Sequence, residues 1–313
     1  MQKIIDFIAG KKPISGQKLT VALGVFDGVH PGHHAVIEAA KALAQASGAG
    51  CAAVTFVPHP REVLVPEGRL ELLMPVSERV KLLLACGADC VGVINFDRDM
   101  ALWEPEKFFD ALTGSGEFEV SGICVGSAWR FGCCGKGDSA LLQKMCSSRN
   151  ISFTAVPELM DNGEKISSSN IRKAISSGNI DDAAKLLGRP CSLYGQVVQG
   201  MRVAGRELQA PTANLQLSAG VMPPDGVYAG KVNLADTLYP AVLNIGPAPT
   251  YGVSEKRIEV HIIGFDGVLY GKSLQVELTG FLRGIKKFAS PEALKNQITA
   301  DISAAVNKVS GGR

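Results

Sequence analysis

Gly24-Val25-Phe26-Asp27-Gly28-Val29-His30-Pro31-Gly32-His33 is the stretch whose reading decides the fold. An apolar, β-rich run (19–26) leads into it, and a helical pattern (33–45) leads out. A strand-to-helix turn bearing glycines lets backbone amides approach an anion, and the helix N-terminus favours the anion's charge. Two histidines three residues apart add donors for phosphate oxygens. Charge on a phosphoryl group in flight needs only such positioned donors.

Outward from this turn the pattern repeats. Short apolar runs at 51–57, 90–96, 122–125 and 151–156 alternate with helical patterns at 77–86, 104–112 and 139–146. Buried strands alternating with helices predict a doubly wound parallel sheet, with ligands at the carboxyl ends of its strands. Thr55-Phe56-Val57-Pro58-His59-Pro60 ends the second strand, so His59 is expected at the same crevice. Two short helices, 170–176 and 180–187, flank Gly178-Asn179, and Gly188-Arg189-Pro190 ends that pattern. The period then falls to two. Strands are predicted at 192–198, 226–233, 239–244, 257–263 and 273–281, joined by Gly, Pro, Asn and Asp turns, as in a small antiparallel barrel. A final helix starts with Ser290 as N-cap and Pro291 at the first position; Leu294, Ile298, Ile302 and Ala305 form its apolar stripe.

Composition agrees with two globular domains. The chain has 313 residues, 46% of them hydrophobic and 20% charged, and that length suggests about two domains. All five tyrosines follow residue 190, whereas both tryptophans and seven of the eight cysteines precede it. The net charge of +2 gives no case for nucleic acid or a membrane surface. No apolar run approaches the ~18 residues of a membrane-spanning helix. The cysteines show no C-x-x-C pair and read as reduced thiols, so a cytoplasmic location is expected.

Further polar clusters carry possible chemistry. Ser167, Ser168 and Arg172 place hydroxyls at a helix start with a guanidinium one turn in, a set suited to a triphosphate. Thr212 and Asn214, two apart in an extended segment, share a face and offer neutral oxygens to magnesium beside a nucleotide. Glu259 and His261 share a strand face, and the carboxylate suits a general base for an alcohol. Blander readings exist for each. His-x-x-His is commonly structural, a serine run commonly caps a helix, and an alternating Glu is commonly solvated. Zinc held by His30, His33, His34 and His59 is a further reading, although no carboxylate or cysteine stands at ligand spacing. Against chance packing, four of the five histidines fall at the ends of the first two strands.

Taken in order, the F-D-G-V-H-x-G-H, T-F-x-P-H-P, I-S-S-x-x-I-R, P-T-A-N and E-V-H motifs resemble those of the bacterial bifunctional riboflavin kinase/FAD synthetase family, over essentially the whole chain. The resemblance implies a Rossmann-like nucleotidyltransferase domain at 1–187 that adenylylates FMN to FAD, using ATP with magnesium or another divalent ion. His30 and His33 would stabilise the α-phosphate transition state. Gly24, Phe26, Asp27, Gly32, Ser167, Ser168 and Arg172 would bind ATP, and His59 and Pro60 the substrate. It further implies a six-stranded flavokinase barrel at 188–313 that converts riboflavin and ATP to FMN and ADP. There Thr212 and Asn214 would hold magnesium-ATP, Glu259 would activate the 5′-hydroxyl, and Arg283 would sit on a flap near the flavin.

The chain departs from the family pattern in several places, among them Ser169, where threonine is usual, and an extra proline within Asn244–Thr250. Ala128, Trp129 and Cys133-Cys134 stand in a segment that elsewhere has acidic, phenylalanine, basic and glycine residues. Gln209 replaces a glycine before P-T-A-N, and Gly284-Ile285 follow Leu282-Arg283 where an acidic residue is usual. Two rival readings stand beside the bifunctional one: a monofunctional riboflavin kinase with a degenerate adenylyltransferase domain, and a non-catalytic flavin-binding regulator. The adjacent cysteines read as small apolar residues or as a redox pair.

Overall fold

Leu19, Val21, Ala22 and Leu23 are all fully buried, as a strand covered on both faces requires. The computed structural model describes residues 4–65, 67, 70–114, 116–198, 212–247 and 256–310, with the backbone alone at Thr212. Gln209 lies outside the described residues. The chain divides into two compact units, one of Met1–Leu70 with Val76–Ser167, the other of Glu71–Pro75 with Ser168–Arg313. Helices α7 and α8 thus group with the barrel, and so does the short excursion Glu71–Pro75, where Gly220 donates its N–H to the Leu72 carbonyl at 2.8 Å.

In the first unit the elements run β1 (Ile5–Gly10), β2 (Gln17–Leu23), α1 (Pro31–Ser47), β3 (Gly50–Val57), α2 (Pro60–Leu64), α3 (Val76–Ala85), β4 (Cys90–Asn95), α4 (Arg98–Ala101), α5 (Pro105–Thr113), β5 (Phe118–Gly126), α6 (Ser139–Ser148) and β6 (Ser152–Val156), then a two-stranded hairpin, β7 (Met160–Asp161) and β8 (Glu164–Lys165). The sheet order is β1-β4-β3-β2-β5-β6. All its pairs are parallel except β1 with β4. Strand order reverses between β2 and β5, so the crevice for a ligand lies at their carboxyl ends. Strand β2 stops at Leu23, three residues before the predicted end, because the backbone turns sharply: Phe26, Gly28 and Val29 all have positive φ. Helix α1 starts with Pro31 in its first turn and ends on Gly48 at φ 64, and Val36, Ile37, Ala40 and Ala44 bury one face. Strand β1 escapes the sequence pattern because it is an edge strand with only Ile5 buried among its six residues.

The second unit carries α7 (Ser168–Ser176) and α8 (Ile180–Leu187), then β9 (Ser192–Val198), β10 (Thr212–Ala219), β11 (Gly226–Leu234), β12 (Thr237–Pro247), β13 (Lys256–Ile262), β14 (Ser273–Arg283) and α9 (Pro291–Ser310). The six strands close into a barrel in the order β10-β13-β12-β11-β14-β9. Every pair is antiparallel. The period-two reading holds along β13, where Ile258, Val260 and Ile262 are buried and the residues between them are not. Ser290 caps α9, its Oγ accepting from the Ala293 N–H at 3.2 Å. Ala305 of the predicted stripe is fully buried, and Asp301 is the other buried residue of that helix.

Burial also sets the chemistry of most thiols. It pushes Cys51, Cys90 and Cys191 up to about 12, and Cys124 and Cys146 up to about 11. All eight cysteines are free.

Candidate active sites

The turn after β2 packs its glycines where side chains have no room. A Cβ at Gly24 would stand 2.9 Å from the Phe26 ring, and one at Gly32 would stand 3.1 Å from the His30 ring. Val29 adopts φ 38 although it is β-branched and fully buried, so the surrounding structure imposes this backbone conformation. His30 is the N-cap residue of α1, and its carbonyl accepts from the N–H groups of His33 (2.8 Å) and His34 (3.1 Å). Its ring stacks on that of His33, with centroids 3.6 Å apart, and His33 in turn meets the edge of Phe26 at 5.2 Å. The structure therefore brings Gly24, Phe26, Asp27, His30, Gly32 and His33 into one turn, and the Ile166 carbonyl, just before Ser167, lies against Gly32. His34 faces away, toward Cys86, at 3.4 Å. Among the described residues no group of three or more His, Cys, Asp or Glu side chains is disposed to hold a metal ion.

Beneath the turn lies a buried charge that sequence reasoning missed. Asp27 and Arg79 are each 1% exposed, with Oδ1 and the guanidinium 3.8 Å apart. Arg79, on α3, also donates to Thr55 Oγ1 (3.2 Å) and the Phe56 carbonyl (3.4 Å), and Thr55 donates to the Val25 carbonyl at 2.7 Å. One guanidinium thus ties the end of β3 to the turn after β2. The only sequence signal was an arginine among the apolar residues of a helix, which periodicity treats as surface.

Residues from the other carboxyl ends complete the crevice. His59 caps α2: its Nδ1 accepts from the Arg61 N–H at 3.1 Å, which places the ring proton on Nε2. Pro60 is the first residue of that helix and is half-buried. An aromatic group spans the end of the sheet. Phe56 meets Phe96 and Phe108, and Phe108 meets both Trp129 and Phe131, whose planes stack at 5.1 Å. After β5 the loop is pinned: Phe131 and Gly137 exchange backbone hydrogen bonds, and the Cys133 N–H donates to the Trp103 carbonyl at 2.6 Å. The hydrogen bond between the Cys133 and Cys134 thiols raises Cys133 above its ordinary range, while Lys136 opposes that shift.

In the second unit Ser168 opens α7, and Arg172 donates its Nε to the Glu71 carbonyl at 2.8 Å. The barrel's register sets Asn214 directly opposite Glu259 on β13, with Asn244 of β12 opposite on its other side. Thr212 stands opposite His261. Glu259 is about one-third exposed, with the Arg257 guanidinium 3.8 Å from its carboxylate. The side-chain oxygen of Asn214 is buried with no hydrogen-bond partner among the described residues, which is costly unless a ligand or cation meets it. Arg283, expected near the flavin, is engaged by Asp301: Nε and Nη2 grip the carboxylate at 2.7–3.1 Å, and both side chains are largely buried. The guanidinium also lies 5.6 Å from the Phe288 ring centroid.

Comparison with known proteins adds to these geometries. Residues 12–170 match the FAD synthetase family, and residues 187–309 match the riboflavin kinase family. A bifunctional riboflavin kinase/FMN adenylyltransferase of Escherichia coli K12 is 34% identical over 290 residues, covering 92% of this chain and 91% of its own. Its counterpart in Bacillus subtilis 168 is 33% identical over 303 residues, covering 95% and 94%. A solved structure from Streptococcus pneumoniae, described as a macrolide-efflux protein, superposes with a TM-score of 0.83 at 30% identity, covering 93% of this chain and 94% of that one. No helix among the described residues is long and apolar enough to cross a membrane.

Proposed function

The chain belongs to the family of bifunctional riboflavin kinase/FMN adenylyltransferases, and from that premise we propose how its residues divide the work. The protein is an enzyme of FAD biosynthesis: it phosphorylates riboflavin to FMN with ATP, then adenylylates FMN to FAD with release of pyrophosphate. We assign adenylyl transfer to 1–187 and the kinase reaction to 188–313. The observation that supports this assignment is that two polar clusters lie in separate units, the stacked histidines at the start of α1 in one and the Asn214–Glu259 pair in the other.

In the first unit, amides of the turn and the N-terminus of α1 receive the phosphates of ATP. His30 and His33 donate to the α-phosphate as charge builds on it, so that the FMN phosphate displaces pyrophosphate. Gly24, Phe26 and Gly32 shape the turn, and Asp27 is fixed there by Arg79. On the chemistry of their groups Ser167, with Ser168 and Arg172 of α7, is assigned to ATP phosphates in the 1–187 reaction. His59 and Pro60 border the flavin substrate, and the Trp129–Phe131 stack offers an aromatic face suited to its ring system.

In the barrel, Glu259 takes the proton of the riboflavin 5′-hydroxyl as that oxygen attacks the γ-phosphorus. The orphaned Asn214 oxygen fits a hard cation, and with the Thr212 hydroxyl it would hold magnesium-ATP. A magnesium ion held by these residues would supply positive charge to offset that of the transferring phosphates. Arg283, through Asp301, fixes the start of the segment that borders the flavin. The free thiols support a cytoplasmic setting.

The test is chromatographic separation of flavins after incubation with ATP and magnesium. Glu259→Gln is expected to lose FMN formation from riboflavin by at least 100-fold and to keep FAD formation from FMN. His33→Ala is expected to do the converse. Retention of both activities by both variants overturns the assignment.

A further inference from the structure

The adjacent cysteines after β5 are assigned to neither reaction above, yet their backbone is tightly held. Cys133 and Cys134 lie in a short 3-10 turn with their sulfurs 3.6 Å apart; Cys134 is exposed and Cys133 half-buried. The backbone that presents them is fixed at several points. Gly132, Cys134 and Gly135 all have positive φ, and a Cβ at Gly132 would stand 2.7 Å from the Pro105 ring. The Cys133 N–H is bonded to Trp103, the Gly135 N–H to Gly132 and the Lys136 N–H to Cys133. Lys136 is itself ion-paired with Glu104, ahead of α5. A rigid turn presenting two thiols side by side binds a bridging ligand with little further loss of entropy.

The spacing selects among thiol reactions. Two sulfurs bound at ~2.3 Å to one tetrahedral centre stand roughly 3.8 Å apart, close to the observed distance. A disulfide needs about 2.05 Å between sulfurs, and its Cα atoms usually stand about 4.4–6.8 Å apart. Adjacent residues in a trans chain are only ~3.8 Å apart at Cα, so chelation fits this backbone and disulfide closure does not. The other described cysteines offer no equal: five are buried, and Cys86 faces His34.

We propose that Cys133 and Cys134 form a vicinal-dithiol site for a thiophilic ion of the trivalent-arsenic or soft-cation class. The loop follows β5, the neighbour of β2 at the strand-order reversal, and carries the Trp129–Phe131 stack assigned above to the flavin, so an occupied dithiol obstructs adenylyl transfer. That second statement rests on the assignment of the reaction to this unit; the binding statement does not. For a trivalent arylarsenical the step balances without an oxidant. Two S–H and the arsenic–oxygen bonds break, two As–S bonds form, both protons leave with the oxygen as water, and arsenic stays trivalent.

The experiment adds phenylarsine oxide to the native full-length protein in excess 2-mercaptoethanol, which competes away single-thiol adducts. Native mass spectrometry then counts retained arsenical. One per chain is expected, reversed by 2,3-dimercaptopropanol, retained by Cys86→Ser and lost in both Cys133→Ser and Cys134→Ser. Unchanged tryptophan fluorescence of these variants shows that the unit still folds. No retention by the wild type, or equal retention by the two serine variants, overturns the site. In the same samples FAD formation from FMN should fall at least tenfold and FMN formation from riboflavin by less than twofold. Retention with undiminished FAD formation overturns the obstruction alone. Wild-type protein that makes no FAD before arsenical is added refutes the assigned reaction and leaves the binding result standing.

Discussion

Replacing Arg79 with methionine tests whether the turn after β2 depends on the charge buried beneath it. The substitution keeps the length of the stem but removes the guanidinium that faces Asp27 and donates to Thr55 and Phe56. Breaking a buried ion pair from one side costs about 3–5 kcal/mol, because the other charge is left in low dielectric. A separation of 3.8 Å and hydrogen bonds of 3.2 and 3.4 Å place this pair at the lower end, about 3 kcal/mol. For a unit of this size that corresponds to a fall in Tm of roughly 6–12 °C. The assay is unusually clean. Both tryptophans, Trp103 and Trp129, lie in the first unit, so tryptophan fluorescence follows that unit alone. Asp27→Asn combined with Arg79→Met removes both charges and should recover at least about 1 kcal/mol relative to the sum of the single losses. A Tm within 2 °C of wild type for Arg79→Met, or strict additivity in the double variant, would refute the reasoning.

Three further outcomes follow from the packing. Gly195→Ala places a Cβ 2.3 Å from the Gln216 carbonyl and should destabilise the barrel by about 2–3 kcal/mol, read by calorimetry as a lowered transition for the second unit only. Asp301→Asn leaves the mostly buried Arg283 without its countercharge; a loss of about 3 kcal/mol is expected, with faster amide exchange along α9. The five buried thiols hold their protons to about 11–12 in the folded chain, against 9.0 for an ordinary thiol. The unfolded chain therefore loses these protons first, so stability is intact below pH 9 and falls as pH rises toward those folded values. At pH 10 the loss is about 1.4 kcal/mol per thiol, measured as a lower urea midpoint than at pH 8.

What the sequence disclosed follows from how local each signal is. The parallel strands show as apolar runs because both faces are covered, and the His30–His33 turn is contiguous, so its stacked rings come from one motif. Strand β1 was hidden by its half-exposed pattern at the sheet edge. The Asn214–Glu259 pairing depends on barrel register between strands 45 residues apart, which no local pattern encodes. Arg79 with Asp27, and Arg283 with Asp301, were invisible for the same physical reason: a charge reads as surface until its distant partner is known. Arg283 shows the limit most plainly, since the motif marked the residue and the fold determined what its guanidinium holds.

The excursion Glu71–Pro75 has a consequence for how such a protein can be inherited. Five residues embedded in the first half of the gene fold with the second unit, where the Leu72 carbonyl meets Gly220 and the Glu71 carbonyl meets Arg172. A single recombination breakpoint between the two halves would deliver a barrel stripped of that strip of backbone, and with it the carbonyls that accept from the Gly220 amide and from Arg172 Nε. A crossover that moved the second unit alone would have to carry residues 71–75 with it or compensate for their loss at Gly220 and Arg172.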